Sequence, residues 1–484
     1  MEEKRDSGKI TAKKAENFSE WYTQVATKSE FVDYTAVSGA LAFRPDGYFV
    51  WEAIQRATDE LFKKDGIQNV YFPLLIPEKL LEKEKEHVKG FSPEVAWVTH
   101  AGESKLDERL AIRPTSETIM YDSFAKWIRS WRDLPMRYNQ WNNVVRWEFR
   151  HPTPLLRGRE FLWNEGHTVF ATKEEAERER NAVIGIYKRI LEEHLALAGV
   201  SGRKTDAEKF AGAEASYSIE HLLPDGAAIQ GPDFHNDGQR FATAFDIKFL
   251  DKDGKQKHAF QNTFAISTRE IGVMLAVHGD DKGLVVPPML ARTQVVIVPI
   301  YRNENAAAVL KEAGEVHKRL KDRFRVYFDD RDAYSPGWKF NEWELKGVPL
   351  RIEIGEREIK GRSVVAARRD TGEKHSIKME GLDDKVGQLL NDIQKSMYKK
   401  SKELLEANTH QVKTYTELKA TIKGKGGFAQ APWCGSESCE AKVKKETSAK
   451  ATNMPDDVQK EAKGRKCAVC GGAARFIVNF ASSY

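Results

Sequence analysis

At 484 residues the chain is too long for one typical domain, and two to four are expected. With 31% charged and 40% hydrophobic residues it has a soluble, globular composition, and the lack of any run of eighteen apolar residues excludes a membrane-spanning helix. The net charge of +5 is uneven: residues 391–470 hold 16 Lys and Arg against 10 Asp and Glu, so the basic end suits contact with a polyanion, or is a set of solvated basic helices.

The opening MEEKRDSGKITAKK has no apolar core and carries acids, unlike a signal peptide or a typical transit peptide. Phe18, Trp21, Tyr22 and Val25 recur at helical spacing. The Arg44-Pro45-Asp46-Gly47 turn precedes a helix expected over Tyr48 to Lys64. A strand is expected over Asn69 to Leu75, and Pro73 within it implies an edge or an interface. In LAIRPTSETIM, Ile112 to Pro114 close a strand, and Thr115 or Ser116 precedes a helix starting near Glu117. That junction reads either as a plain helix cap or as a site where backbone N–H groups, a hydroxyl and a carboxylate share one small volume that would bind a cationic amine.

The run 143–170, NVVRWEFRHPTPLLRGREFLWNEGHTVF, is a hairpin with a cationic loop. Val144 to Phe149 alternates as a strand, with Arg146 and Glu148 on one face and Val145, Trp147 and Phe149 on the other, buried one. Glu160 to Phe170 puts Trp163, Glu165 and His167 on a single face. Pro152 and Pro154 belong to the loop, which carries Arg150, His151, Arg157 and Arg159. Arg presents a planar fork that pairs with phosphate oxygens, so the hairpin suits a polyphosphate; the alternative is a surface hairpin with solvated charges.

Thr172 and Glu175 form a capping-box pattern opening a helix with Val183, Ile186, Ile190 and Leu195 inward. Strands are expected over Ala227 to Gln230, Phe241 to Leu250 and Gln261 to Thr268, the last running into a helix from Arg269 to His278. Antiparallel strands with flanking helices make an α+β body. From Thr293 strands and helices alternate (QVVIVPI, 306–324, RVYFDD, 340–345, LRIEIG, SVVAARR, 383–400), as in a separate α/β domain with a largely parallel sheet. Pro287-Pro288 marks the boundary. All four cysteines fall in the last 51 residues, as Cys434-x4-Cys439, 27 residues, then Cys467-x2-Cys470. This argues against a disulfide-built secreted protein and matches a structural tetrahedral Zn2+ site with no open position; the alternative is four unrelated thiols.

RPTSET (113–118), NQWNNVVRWEFRHPTPLLRGREFLWNEGH (139–167), EKFAGA (208–213), STREIGVMLAVHGDDKGLVVPP (267–288), PGWKFNEWELKGVPLRIEIG (336–355), the four-Cys tail and Tyr484 together resemble the class II aminoacyl-tRNA synthetases. Within them the chain resembles the prolyl-tRNA synthetase family of the archaeal/eukaryote-like type. The resemblance spans essentially the whole chain, although the glycines of the third motif are weak. It implies a multidomain α+β and α/β fold: an antiparallel-sheet catalytic domain (1–288), an α/β anticodon-binding domain (289–400) and a small C-terminal α/β zinc-binding domain (401–484). The gap of about a hundred residues between the second and third motifs implies that the large bacterial-type editing insertion is missing. One departure stands out: Asp233 and Phe234 replace the family's hydroxyl residues before His235, so no hydroxyl contact to the nucleotide is carried over at 233.

The implied activity joins L-proline to tRNA(Pro) at the expense of ATP, with Mg2+ on the phosphates and a structural Zn2+. By resemblance Arg146, Glu148, Arg157, Gln230, Ser267 and Arg269 contact ATP, with Arg146 and Arg269 catalytic. Thr115 and Glu117 take the secondary ammonium of proline. Arg146, Trp163, Glu165, His167, Phe210 and His235 complete the amino-acid pocket. Lys339, Glu344 and Arg351 are candidate readers of the anticodon, or surface charges. Cys434, Cys439, Cys467 and Cys470 hold the zinc. A homodimer in the cytoplasm, with no membrane contact, is expected. The competing readings are another class II enzyme, such as a threonyl or glycyl synthetase, and a non-catalytic tRNA-binding relative.

Overall fold

The computed structural model describes residues 9–87, 94–148, 151–424 and 426–484. Helix α1 (Phe18–Lys28) buries Trp21, Tyr22 and Val25, and Asn17 caps it by accepting the Glu20 amide. Helix α2 (Pro45–Lys64) starts three residues earlier than expected, because Pro at a first-turn position needs no hydrogen-bond acceptor for its nitrogen. The expected strand 69–75 is broken. β1 is only Gln68–Asn69, and pairing resumes in β2 (Leu75–Pro77) against β3 (Ser104–Ile112), on the far side of Pro73.

Helix α3 (Glu117–Trp127) follows the 113–116 turn. β4 (Met136–Val145) pairs with β5 (Glu160–Phe170), and helix α4 (Lys173–Arg189) starts at the capping box of Thr172 and Glu175. Then come β6 (Val200–Arg203), β7 (Ala215–Leu222), β8 (Ala228–Gly238), helix α5 (Arg240–Phe245), β9 (Phe260–Ala265) and helix α6 (Arg269–His278). The strand expected over 241–250 is therefore mostly α5. Its apolar residues Phe241, Ala242 and Phe245 face a core with Tyr121 and Phe124, and only 248–250 is strand.

In the second unit β10 (Val295–Pro299), helix α7 (Ala306–Leu320), β11 (Val326–Phe328), helix α8 (Pro336–Leu345), β12 (Leu350–Ile354), β13 (Ser363–Arg368) and β14 (Lys374–Lys378) precede the long helix α9 (Leu382–Ala407). The sheet order is β11-β10-β12-β13-β14. Only β11, β10 and β12 run parallel. β13 and β14 return antiparallel, so the sheet is mixed rather than largely parallel, because the connections 355–362 and 369–373 are too short for parallel crossovers.

The last unit has β15 (Thr409–Gln411), β16 (Phe428–Trp433), helix α10 (Glu437–Thr447), β17 (Lys450–Pro455) and β18 (Phe476–Ala481). Its strands do not stand apart. β17 pairs with β6, giving one eleven-stranded sheet in the order β15-β16-β18-β17-β6-β7-β8-β9-β5-β4-β1. One face of its central strands packs on the helices, with Phe62, Tyr187, Phe234 and Phe264 in the same core. The opposite face is polar and open.

Candidate active site

The polar face carries a cavity of about 430 Å³. Strand alternation places its walls: Trp163, Glu165 and His167 from β5, Asp233 and His235 from β8, and Thr263 and Ala265 from β9. The ladder lines up Ser216, His235, Thr263 and His167 across four adjacent strands. Gly166 sits between two of these residues, and a Cβ there would lie 1.9 Å from the Phe264 ring, so only glycine allows the core to approach so closely.

Glu165 is 2% exposed and densely hydrogen-bonded. It accepts from Thr115 Oγ1 (2.9 Å), the Ser116 amide (2.8 Å), Ser116 Oγ and Asn142 Nδ2 (2.9 Å). Helix α3 thus has Ser116 at its N-cap position without a side-chain cap bond, the hydroxyl being turned to Glu165 instead. Glu117, almost as buried, has among the described residues only the Thr115 hydroxyl as a donor, and shares its single proton with Glu165. Glu165 therefore fixes the hydroxyls, and Glu117 keeps acceptor capacity for a cation. Glu117, Glu165 and His167 bring ligand atoms within 4.8 Å of one another, but the donors crowding Glu165 fit an organic ammonium better than a metal ion. Gln140 and Asn142, which complete this cluster, were missed in the sequence; their signal was amides at alternate positions of an interior strand.

The apolar part of the slot is formed by Phe210, whose ring lies 5.0 Å from that of His235. His235 Nδ1 is 2.8 Å from Ser216 Oγ, and His167 Nδ1 is 3.2 Å from Tyr121 Oη. The departure at 233–234 splits between the two faces. Phe234 is fully buried against Phe264, while Asp233 faces the cavity and accepts from Gln230 Nε2 at 2.9 Å. Deeper on this face, Asp237 is fully buried; burial, reinforced by the charge of Glu117, raises its carboxyl well above the usual range.

Arg146 lines this cavity, whereas Arg269 lies outside its wall and is joined to it through the carbonyl of Gln230, which does line it. β4 ends at Val145, so Arg146, Trp147 and Glu148 lie in a turn and not on the expected strand. Trp147 is accordingly exposed, under the Arg159 guanidinium at 4.4 Å, rather than buried. Phe149 and Arg150 fall outside the described residues. Arg146 and Glu148 both line the cavity all the same. Arg146 Nε donates to the Pro114 carbonyl (2.9 Å), and its guanidinium lies 5.1 Å from the Trp163 ring. Arg269, at the start of α6, donates to the carbonyls of Leu156 and Gln230, both at 3.2 Å. Burial lowers its pKa despite Glu270, and the charges of Arg146 and Arg157 add to that lowering. Among the described residues no carboxylate pairs with Arg146 or Arg269 within ion-pair distance. Arg157 lies 5.6 Å from the Tyr484 ring. Ser267 is not in the wall; its Oγ accepts the Arg269 amide at 3.3 Å and so helps orient α6.

The anticodon-reading candidates are engaged differently. Lys339 is 2% exposed and donates to the Asp329 carbonyl at 2.9 Å, which makes it an interior structural cation rather than a surface reader. Arg351 pairs with Glu353 (2.9 Å) and Glu344 (3.5 Å), and its guanidinium lies 4.0 Å from the Phe340 ring.

The four cysteines do converge. All four sulfurs lie within 4.8 Å of one another, with Cys434 Sγ 3.6 Å from Cys439 Sγ and 3.8 Å from Cys470 Sγ. A tetrahedron with Zn–S bonds of ~2.3 Å has edges of about 3.8 Å, whereas a disulfide needs about 2.05 Å, so the donor set fits zinc.

A mainly antiparallel sheet flanked by helices, with a polar cavity lined by Arg146, Glu117 and Glu165 on its open face, is the architecture of a class II aminoacyl-tRNA synthetase core. Residues 98–278 match the family model "tRNA synthetase class II core domain (G, H, P, S and T)", 294–389 match "Anticodon binding domain" and 415–484 match "Prolyl-tRNA synthetase, C-terminal". A proline–tRNA ligase of Alkaliphilus oremlandii is 49% identical over 97% of this chain and 96% of its own, and one of Natranaerobius thermophilus is 46% identical over 94% of each. A crystal structure of prolyl-tRNA synthetase from Cryptosporidium parvum, complexed with halofuginone and AMPPNP, superposes with a TM-score of 0.94 at 44% identity, covering 99% of this chain and 100% of that one. The chain belongs to the proline–tRNA ligase family.

Proposed function

We propose that this chain activates L-proline with ATP and transfers the prolyl group to the 3′ end of tRNA(Pro). A proline carboxylate oxygen attacks the α-phosphorus, the bond to the β-phosphate bridging oxygen breaks, and pyrophosphate leaves. A ribose hydroxyl of the terminal adenosine then attacks the prolyl carbonyl and AMP departs. The nucleophile of the first step is already an anion, so the chain must position it and offset charge rather than remove a proton. Glu117 and Thr115 hold the secondary ammonium, and Trp163, Glu165, His167, Phe210 and His235 shape the ring pocket. Arg146 meets the α-phosphate and the carboxylate. Arg269 meets the γ-phosphate, with Arg157 beside it; Glu148 and Gln230 hold the nucleoside side, and Ser267 orients Arg269. Mg2+ bound together with the triphosphate would supply further charge screening there, beside Arg146 and Arg269.

The observation that carries this reading is that Arg146, anchored by the Pro114 carbonyl and paired with no carboxylate among the described residues, and the Glu117 carboxylate line one cavity, with Arg269 bound to the carbonyl of its wall residue Gln230. ATP–pyrophosphate exchange measured with each of the twenty amino acids tests it: proline should dominate, and a larger signal from another amino acid overturns the specificity.

We also place the domain limits at 1–288, 289–400 and 401–484, with zinc on the four cysteines. Residues 171–259 supply α4, β6 to β8 and α5, all part of the catalytic body, which supports the absence of a separate editing module. The exposed apolar side chains Tyr71, Leu74, Leu75 and Trp127 around Pro73 support a homodimer. No described helix is long and apolar enough to cross a membrane, and the four thiols form no disulfide; both support a cytoplasmic enzyme.

A further inference from the structure

We propose that Glu440 is a positioning residue for the amino acid: helix α10, which carries the zinc ligand Cys439, holds the 204–213 loop in place through a buried hydrogen bond between Thr205 and Glu440. This rests on the reading of the cavity as the proline site.

The loop leaves β6 and supplies Lys204, Glu208, Lys209 and Phe210 to the cavity wall. Its conformation is built on Thr205. The Thr205 carbonyl accepts the amides of Glu208 (3.2 Å) and Lys209 (2.9 Å), making the turn that delivers Phe210 to His235. The Thr205 hydroxyl points the other way and donates to Glu440 Oε1 at 2.8 Å. Both residues are buried, Thr205 1% and Glu440 5% exposed. A bond to a carboxylate with so little access to water has few competitors.

Packing does not do the same job. Behind the loop lies a second cavity, about 160 Å³, whose walls include Arg203, Thr205, Trp433 and Glu440. The loop therefore rests on a void there, and the hydroxyl–carboxylate bond crosses its edge. The other direct link to helix α10, Lys444 to Glu208 at 3.6 Å, is more exposed and correspondingly weak, while Lys204 to Glu220 (2.6 Å) and the Phe210 amide to Ser216 Oγ (3.0 Å) tie the loop to β7 and not to α10. Helix α10 is in turn fixed at its first turn, where Cys439 joins the thiolate cluster next to Glu440. The zinc knot, the tether and the wall of the slot form one mechanical series.

The test uses the full-length zinc-loaded enzyme and the variants Thr205→Val, Glu440→Ala and Glu440→Gln. Three quantities are read: KM for proline against kcat and KM for ATP in pyrophosphate exchange, zinc content, and hydrogen–deuterium exchange of amides 206–213. Thr205→Val and Glu440→Ala should raise KM for proline about five- to tenfold, the scale of one charge-assisted hydrogen bond, and speed exchange in the loop. They should leave kcat and KM for ATP within about twofold. Glu440→Gln keeps an acceptor oxygen and should restore most of the affinity. If Glu440→Ala loses zinc or fails to fold, Thr205→Val, which removes the same bond from the other side, decides. An unchanged proline KM with unchanged loop exchange in Thr205→Val overturns the inference. A wild-type enzyme with no proline-dependent exchange would instead sink the functional reading, and the amide exchange would still show whether the tether exists.

Discussion

The polar cavity of the synthetase core and the anticodon-binding domain both have partly buried arginines close by, but they anchor them to different partners. In the cavity wall Arg146 donates to the carbonyl of Pro114, and next to it Arg269 donates to those of Leu156 and Gln230. In the anticodon-binding unit Arg331 lies between Asp329 (2.8 Å) and Glu342 (2.5 Å), and Arg351 beside Glu353. A carbonyl fixes a guanidinium without cancelling its charge; a carboxylate does both. The titration directions follow. Burial lowers Arg269, whereas the hydrogen bond to Asp329, helped by Glu342, raises Arg331 against a smaller opposing effect of burial. A carbonyl-anchored arginine holds unspent positive charge, as a triphosphate requires, while a carboxylate-paired one serves shape and neutral recognition.

The largest expected effect breaks the comparison on the cavity side. Arg146→Ala should cut the proline-dependent exchange rate by about a hundred- to a thousandfold while circular dichroism and Tm stay near wild type, and retained exchange would remove Arg146 from the chemistry. A second test concerns a buried imidazole that is likewise anchored by a carbonyl, His278, whose Nε2 lies 3.0 Å from the Leu195 carbonyl. Burial outweighs that bond and lowers its pKa to about 4. Its stabilising contribution is present above about pH 6.5 and lost as pH falls towards 4, up to about 3 kcal/mol in all. Denaturant titrations between pH 7 and 4 should show that slope, and His278→Gln should flatten it. Third, on the proposed reading the slot separates proline from alanine chiefly by ring contacts, which are worth ~1–3 kcal/mol. Alanine should therefore give measurable exchange at high concentration, and a signal at background would mean that the slot rejects it by other means. The smallest effect lies on the other side of the comparison. Arg351→Ala should raise KM for tRNA severalfold in the charging reaction and leave amino-acid activation within about twofold.

Much of this architecture could be read from residue patterns. The alternation of Trp163, Glu165 and His167 gives their shared face, and the cysteine spacing gives their convergence. What escaped depends on tertiary context. The alternating pattern of 144–149 runs on past Val145, where the strand ends and Arg146 donates to the Pro114 carbonyl. Lys339 looks like a surface charge until Asp329 folds over it. Phe241 to Phe245 reads as a strand by composition, but α5 buries the same side chains against Tyr121. Asp233 replaces an expected hydroxyl, and only the register of β8 shows it facing the cavity while Phe234 enters the core. No local signal could have shown that β17 pairs with β6 and joins the C-terminal unit to the catalytic sheet, since that contact bridges some 250 residues.

Calorimetric titration of ATP into the wild-type protein, Arg269→Ala and Arg351→Ala tests the carbonyl-versus-carboxylate distinction most directly. The account predicts at least about tenfold weaker ATP binding for Arg269→Ala and binding within about twofold of wild type for Arg351→Ala. Wild-type affinity in Arg269→Ala would contradict it.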